Sequence, residues 1–483
     1  RSRAADPDDV LMPSQCARLA MLAVIAPAAT AYSLFGTSSR SHTVTAQISA
    51  QAPVAVQAPF ALPGARMRTR TPAVQMSEPD GGKKKVFVLG GDGFCGWPTA
   101  LHLSNLGHDV VIIDDLSRRK IDVELGASSL TPISTPEVRV ATWNEQSGKD
   151  LKYVYMDLQN EYDRFLKLVN DEKPDTLVHF AEQRAAPYSM KNGATKRYTI
   201  ENNMGATHNA LCAIVESGLD VHLVHLGTMG VYGYGNSGGE IPEGYIDVTL
   251  PGGREKNILH PAYPGSIYHS TKCLDAILFQ FYAKNDQLRI TDLHQGIVWG
   301  TNTPLTASDE RLCNRFDYDG EYGTVLNRFL MQAASGIPLT VYGTGGQTRA
   351  FIHISDTCRC IELAVANPPK KGERVEILNQ VAETARVRDI AEMVAGLFGA
   401  EVQQVANPRQ EDAENELVVA NQKFKLLGLE PILLESADGL FKEVTEIAQK
   451  YLHRIDKSKV ASIAYWNSKR KEEVESSAGT KLG

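Results

Sequence analysis

Tyr268 and Lys272 stand at Tyr-x-x-x-Lys spacing in a helix-like run, so one turn of helix brings both side chains to the same face. A lysine ammonium beside a phenol favours the phenolate and makes tyrosine a usable base near working pH. Thr228, at the end of an apolar strand-like run, can hydrogen-bond the same substrate hydroxyl. The three together suit removal of a hydroxyl proton while hydride passes to a nicotinamide. A place for that dinucleotide is written in residues 86–96, VFVLGGDGFCG. Val86 to Leu89 read as a buried strand, and Gly90, Gly93 and Gly96 follow at GxxGxxG spacing and open a helix. Gly90 serves the tight turn, Gly93 the close approach of a pyrophosphate, and Gly96 the packing of helix on strand. The pyrophosphate then sits on free N–H groups at the positive end of the helix, with Phe94 and Cys95 beside it in the turn.

A second strand, Val110 to Ile113, ends on Asp114, whose carboxylate suits a ribose diol. Its negative charge favours NAD over NADP. Arg118 and Arg119 follow, either as cations available to the cofactor or as solvated loop arginines. Asp157 and Leu158, past a third strand, suit an adenine edge, although an Asp capping a helix near 160 reads the same way.

The elements that must hold these residues alternate. Strands are expected at 85–90, 109–114, 152–156, 176–181, 221–227 and 289–298, with helices at 94–106, 160–170, 203–217 and 266–284. This predicts an α/β fold, a Rossmann-like doubly wound parallel sheet with a smaller C-terminal substrate-binding lobe. Its ligands gather outside the carboxyl ends of the strands. The expected organisation is a presequence over 1–82, an NAD-binding domain over 83–300 with segments returning from the C-terminal half, a sugar-nucleotide lobe mainly over 301–450 and a polar tail over 451–483. Residues 233–263 read as a lid or entrance loop.

Composition narrows the function classes. A net charge of −7 gives no general basic field for nucleic acid. Seven scattered cysteines argue against a disulfide framework and a four-ligand zinc site; Cys358 and Cys360 read as helix packing, and no metal site is expected. From Val10 to Ser77 there is no Asp or Glu, and the apolar run 17–35 is interrupted by Pro27. That run is short for a membrane span and reads as a signal segment, followed by an Arg/Ser/Thr-bearing transit segment. The pair resembles a two-part presequence to the plastid stroma, the alternative being a low-complexity disordered tail.

On the stretches GGDGFCGWPTALHLS (90–104), SLTPI (129–133), HFAEQRAAPYSM (179–190), LGTMGVYG (226–233), YHSTK (268–272), NRFDYD (314–319), GGQTR (345–349) and NPR (407–409), the chain resembles the extended short-chain dehydrogenase/reductase family acting on nucleotide sugars. Within it the chain is similar to the branch that joins sulfite to UDP-glucose for plastid sulfolipid head groups. The resemblance covers roughly 84–450. It implies recycling NAD, a 4-keto intermediate, and UDP-glucose and sulfite as substrates, the sulfite taken free or from a delivering partner protein. It also implies a homodimer through the helices around 203–217 and 266–284.

Carried onto this chain, Tyr268 is the C4-hydroxyl base, Lys272 its partner and a nicotinamide-ribose ligand, and Thr228 the orienting hydroxyl. His269 becomes a candidate for proton transfer around C5 and C6, against the alternative of a surface histidine. Related dehydratases place Asp-Glu after the threonine, where this chain has Met229 and Gly230. The small residue there could leave space for sulfite. Arg184 supplies positive charge for sulfite, or pairs with Glu182. Asn202 and Gln295 are polar candidates near substrate or nicotinamide. Arg349 and Arg409 form a diphosphate clamp, Asn327 a further diphosphate contact, and Val341, within LTVY, would lie under the uracil. Val231 departs from the branch, which carries Glu there. A 4-epimerase, a dehydratase, or a non-catalytic relative binding NAD or RNA remain the alternatives.

Overall fold

The computed structural model describes residues 82–233, 239–409, 411–460, 465–466 and 471–473. The presequence, apart from Gly82, and residues 474–483 of the polar tail lie outside the described residues.

In chain order, β1 (Lys85–Leu89), α1 (Gly96–Asn105), β2 (Asp109–Asp114), α2 (Ser117–Leu125), α3 (Pro136–Ser147), β3 (Lys152–Tyr155), α4 (Tyr162–Glu172) and β4 (Thr176–His179) come first. Then follow α5 (Ala186–Met190), α6 (Gly193–Ser217), β5 (His222–Leu226), β6 (Glu240–Ile241), β7 (Tyr245–Leu250), β8 (Arg254–Leu259), α7 (Ile267–Asn285), β9 (Arg289–Gln295) and β10 (Ile297–Trp299). The remainder includes α8 (Val325–Ala334), β11 (Leu339–Tyr342), β12 (Thr348–His353), α9 (Ile354–Ala366), β13 (Glu376–Gln380), β14 (Glu383–Arg386), α10 (Val387–Phe398) and β15 (Val402–Val405).

Seven strands form one parallel sheet in the order β13-β9-β5-β4-β1-β2-β3. This is the doubly wound arrangement read from the sequence. β1 lies between β4 and β2, so the chain reverses direction across the sheet beside it. A ligand cleft is expected there, outside the carboxyl ends of the strands. β1 is buried almost throughout and alternates between two cores: Val86 and Val88 face Trp97 and Leu101 of α1, while Phe87 and Leu89 face Phe165, Leu211 and Ile214 of α4 and α6. A third core, built on Trp299, Phe316, Phe329, Phe351 and Phe441, lies under α8 and the small sheet β10-β12-β14.

Several boundaries differ from expectation. The helix expected at 203 begins at Gly193, because Asn192 and Thr195 form a reciprocal capping box there. The strand expected over 289–298 divides at Gly296, where a Cβ would come within 2.9 Å of the Ala350 backbone; β9 stays in the main sheet and β10 joins β12. The helices α2 and α3 stand where no element was expected. The described part of the 233–263 segment carries an antiparallel hairpin, β7 with β8, turned at Gly252 and Gly253, both of positive φ.

Candidate active site

One cavity of about 600 Å³ runs along the carboxyl ends of the main sheet. It is lined by Gly90, Gly93, Phe94, Cys95, Gly96, Asp114, Arg118, Asp157 and Leu158, and by Arg184, Asn202, Thr228, Tyr268, His269, Lys272 and Gln295. Arg349 and Arg409 also line it, close enough to His269 to act on its charge. The structure therefore gathers residues spread over more than three hundred positions of sequence into a single space.

The glycine turn has the shape a dinucleotide needs. Gly90 has φ +80, and a Cβ there would lie 2.7 Å from the Ala181 nitrogen; a Cβ on Gly96 would lie 2.2 Å from the Gly90 carbonyl oxygen. Both faces are closed by backbone. A Cβ on Gly93 would meet only the Gly90 oxygen, at 3.2 Å, so that position gives its bare surface to the cavity. No side chain caps the start of α1, which keeps its positive end open to an anion. Asp114 accepts from the backbone N–H groups of Asp92 (2.9 Å) and Leu116 (2.7 Å), which fix it at the cleft. Burial, and then the Asp92 charge, push its carboxyl up to about 7.

Arg119 donates twice to Asp92, and Arg118 pairs with Asp122 and Asp317. Neither guanidinium is available to a 2′-phosphate, so the residues present fit NAD. Asp157 caps its own turn, accepting from the N–H groups of Gln159 and Asn160, so its carboxylate is already engaged. The Cys95 thiol is pushed up to about 12 by burial, which keeps it an uncharged wall.

The start of α7 is pinned by two serines. Ser266 accepts from the His269 N–H (3.1 Å), and Ser189 Oγ accepts from the Tyr268 N–H (3.2 Å). Tyr268 consequently lies in the first turn, at the positive end of a 19-residue helix, where negative charge on a phenolate is favoured. Lys272 Nζ donates to Leu226 O (2.7 Å), forms an ion pair with Glu182 Oε2 (2.8 Å), and lies 3.0 Å from His225 Nε2. Burial alone would lower the Lys272 ammonium; the Glu182 charge reverses that, and the group is held above its ordinary value. Asp292 and Glu182 raise His225 to about 9 against burial and Lys272, so it donates to both carboxylates at neutral pH. Behind them Asp275 is pushed well up, first by burial and then by Glu182. Glu182, His225 and Asp275 lie close enough together to hold a metal ion, yet the cation at Glu182 is the lysine's own ammonium.

Thr228 Oγ accepts from the Gly230 N–H at 3.1 Å. Gly230 leaves no space for sulfite: a Cβ there would lie 2.3 Å from His269 Cδ2, so the room beside it holds the imidazole. His269 is buried rather than at the surface, and burial, then Arg409 and Arg349, hold it down to about 3, hence neutral. An anion bridging those arginines removes part of that depression. Gly230→Ala should displace the ring and lower kcat by about 10²-fold with NAD content unchanged. Steady-state kinetics at wild-type level would remove His269 from the chemistry.

Other expectations are corrected. Arg184 pairs with Asp317 (2.7 Å), while Glu182 belongs to Lys272. Asn327 is not at the cavity: its amide accepts from Gly300 N–H and donates to Gly300 O, both at 2.9 Å, so it fastens a turn. Val341 points into the third core, and its strand neighbours Thr340 and Tyr342 line the cavity, a one-residue alternation in a strand. Val231 packs with Met229, Ile241 and Leu417, away from the cavity lining. Asn202 donates to Asn203 and Gln295 to Thr357, both from the cavity wall. Cys358 and Cys360 are buried in α9, their thiols raised by burial, in keeping with packing.

Sequence reasoning also missed Glu411. Its carboxylate touches Arg349, accepts from Asn407 Nδ2 (3.1 Å), and is held below its usual range against burial by Arg349 and Arg409. The carboxylate thus marks an anion position at the proposed clamp.

A family model described as "NAD dependent epimerase/dehydratase family" matches residues 86–379. The chain is similar to the chloroplastic UDP-sulfoquinovose synthase of Spinacia oleracea, 44% identical over 390 residues covering 80% of each chain. It is also similar to the UDP-sulfoquinovose synthase of Sulfolobus acidocaldarius, 39% identical over 352 residues, 72% of this chain and 88% of that one. Among solved structures, the UDP-glucose 4-epimerase of Thermotoga maritima with UDP-glucose aligns at a TM-score of 0.57 and 20% identity, covering 76% of this chain and 99% of that one. That likeness concerns the fold.

Proposed function

Because the chain belongs to the NAD-dependent epimerase/dehydratase family, we propose that its cavity carries out the UDP-sulfoquinovose synthase reaction, converting UDP-glucose and sulfite to UDP-sulfoquinovose. The observation that carries this reading is the identity of 44% and 39% to two proteins of that name, over 80% and 72% of this chain. Gly90, Gly93, Gly96 and Asp114 would hold NAD, which would supply a reversible hydride acceptor for C4 with no net consumption.

The chain's own residues do the rest. Arg349 and Arg409 hold the diphosphate. Tyr268 takes the C4 hydroxyl proton and gives it back, Thr228 orients that hydroxyl, and the Lys272 ammonium favours the phenolate. With C4 at the ketone level the C5 proton is acidic, and loss of it with the C6 hydroxyl expels one water. His269, neutral and beside Gly230, is the group placed to accept the C5 proton, its basicity rising as the diphosphate offsets the two arginines. Arg184 supplies positive charge toward sulfite as its sulfur adds to C6, and the proton of bisulfite goes to C5, which restores the C4 ketone.

The assembly we propose is a homodimer through α6 and α7. Leu274, Ile277 and Phe281 form one exposed apolar stripe along α7, with Val215 exposed on the neighbouring α6. The spinach relative is chloroplastic by name, and the compartment we propose is the plastid, reached through the 1–82 segment. Among the described residues, no helix is long and apolar enough to cross a membrane.

Solvent exchange tests the chemistry. In heavy water without sulfite, NAD-loaded protein should place deuterium at C5 of recovered UDP-glucose, read by proton NMR. A 4-epimerase would instead yield UDP-galactose with protium retained at C5, and that result would exclude the reading.

A further inference from the structure

The sheet order places β1, with its glycine turn, between β2 and β4. Any tie between the residues that follow β2 and those that follow β4 must therefore pass over that turn. One carboxylate makes such a tie. Asp317 Oδ1 accepts from Arg118, at the start of α2 after β2, at 3.1 Å; Oδ2 accepts from Arg184, in the loop after β4, at 2.7 Å. The same segment adds a ring and a hydroxyl. The Arg118 guanidinium lies 3.6 Å above the Tyr322 ring, Arg184 lies 5.5 Å from that ring, and Tyr322 OH donates to Gln183 Oε1 at 3.2 Å. Glu321 pairs with Lys191 at 2.6 Å. Residues 320–323 line the same cavity as Gly93 and Asp114.

We propose that the Asp317–Tyr322 segment is a clasp over the cofactor cleft, with Asp317 as the positioning residue that draws Arg118 and Arg184 together across the glycine turn and holds the dinucleotide captive between turnovers. This rests on the reading that NAD is the resident cofactor. A reaction that reduces and reoxidises its cofactor on one sugar requires retention through the whole sequence, and the clasp meets that need. Geometry supports it: the Asp317 carboxylate pairs with Arg118, Arg184 and Arg315, so one group fastens three guanidiniums that come from three separate segments. Arg315 is buried and joins Asp317 to Asp122, which anchors the clasp to α2. Burial would raise the Asp317 carboxyl, and Arg118, Arg315 and Arg184 overcome it, so the tie is charged on both sides.

The test is release of NAD from loaded protein, followed without turnover by dilution into excess labelled NAD. Asp317→Asn should release NAD at least about tenfold faster than the parent chain, because one neutral amide cannot pair two guanidiniums. Asp317→Glu should recover most of the retention, and Arg118→Gln, which removes half the tie and leaves the buried Arg315 pair, should fall between. Thermal melting of each loaded variant separates loss of the clasp from loss of the fold. Unchanged release from a folded Asp317→Asn and from Arg118→Gln overturns the proposal. So does an unchanged release accompanied by a raised KM for sulfite, which would leave the cluster only the sulfite role proposed for Arg184. Failure of the synthase reading leaves the release measurement intact, since no product is read.

Discussion

Tyr268→Phe should yield a folded, NAD-loaded protein whose turnover of UDP-glucose falls by about 10³-fold, the scale of losing a positioned proton acceptor. The ring stays, so its contact with His269 (centroids 5.3 Å apart) and the start of α7 are kept. What leaves is the one oxygen that Lys272 and the helix end favour as an anion. Binding of UDP-glucose should change little, so the loss should stand in kcat with KM nearly constant. Single-turnover absorbance of the reduced cofactor checks it: the variant should form almost none on mixing with UDP-glucose. Reduction at the parent rate would move the base to another residue.

Arg349→Ala should raise the KM for UDP-glucose by about 10- to 100-fold, corresponding to roughly 1.5–3 kcal/mol for a charged hydrogen-bond donor. The side chain is buried, with one Nη donating to Thr348 O and the other on Glu411. Glu411 holds one Nη of Arg349 in this structure, so a diphosphate approaching the guanidinium competes with that carboxylate. Arg349→Lys should recover part of the affinity, since a single ammonium does not reproduce the guanidinium fork. The KM for sulfite should remain at the parent value, because sulfite is assigned to Arg184 rather than to Arg349. A joint rise in both constants would place the arginine elsewhere in the mechanism.

Much of the frame was legible in the chain because parallel strands buried on both faces read as mainly apolar runs, as β1 and β2 do, and β4 and β5 keep a Leu-Val pair between buried Thr and His side chains. The residues that end those strands lie at the cavity, as the doubly wound geometry requires. Where signals were local but unrecognised, boundaries moved: Asn192 and Thr195 cap α6 ten residues ahead of the apolar periodicity. Val341 shows the limit of reading a short strand without its register, since one step decides between core and cavity. Asn327 has the polarity of a ligand contact and serves a backbone turn. The pairing of Glu182 with Lys272, and of Asp317 with Arg118 and Arg184, joins segments 90 to 199 residues apart. No spacing in one chain announces such partners; sheet order brings them together.

Mass spectrometry of the products formed from UDP-glucose by residues 83–483, with and without sulfite, tests the central claim most directly. The account predicts a sulfite-dependent nucleotide sugar carrying a sulfonate in place of the C6 hydroxyl, with one water lost, and its absence with Tyr268→Phe. UDP-galactose or a dehydrated ketosugar as the end product, formed equally with or without sulfite, would contradict it.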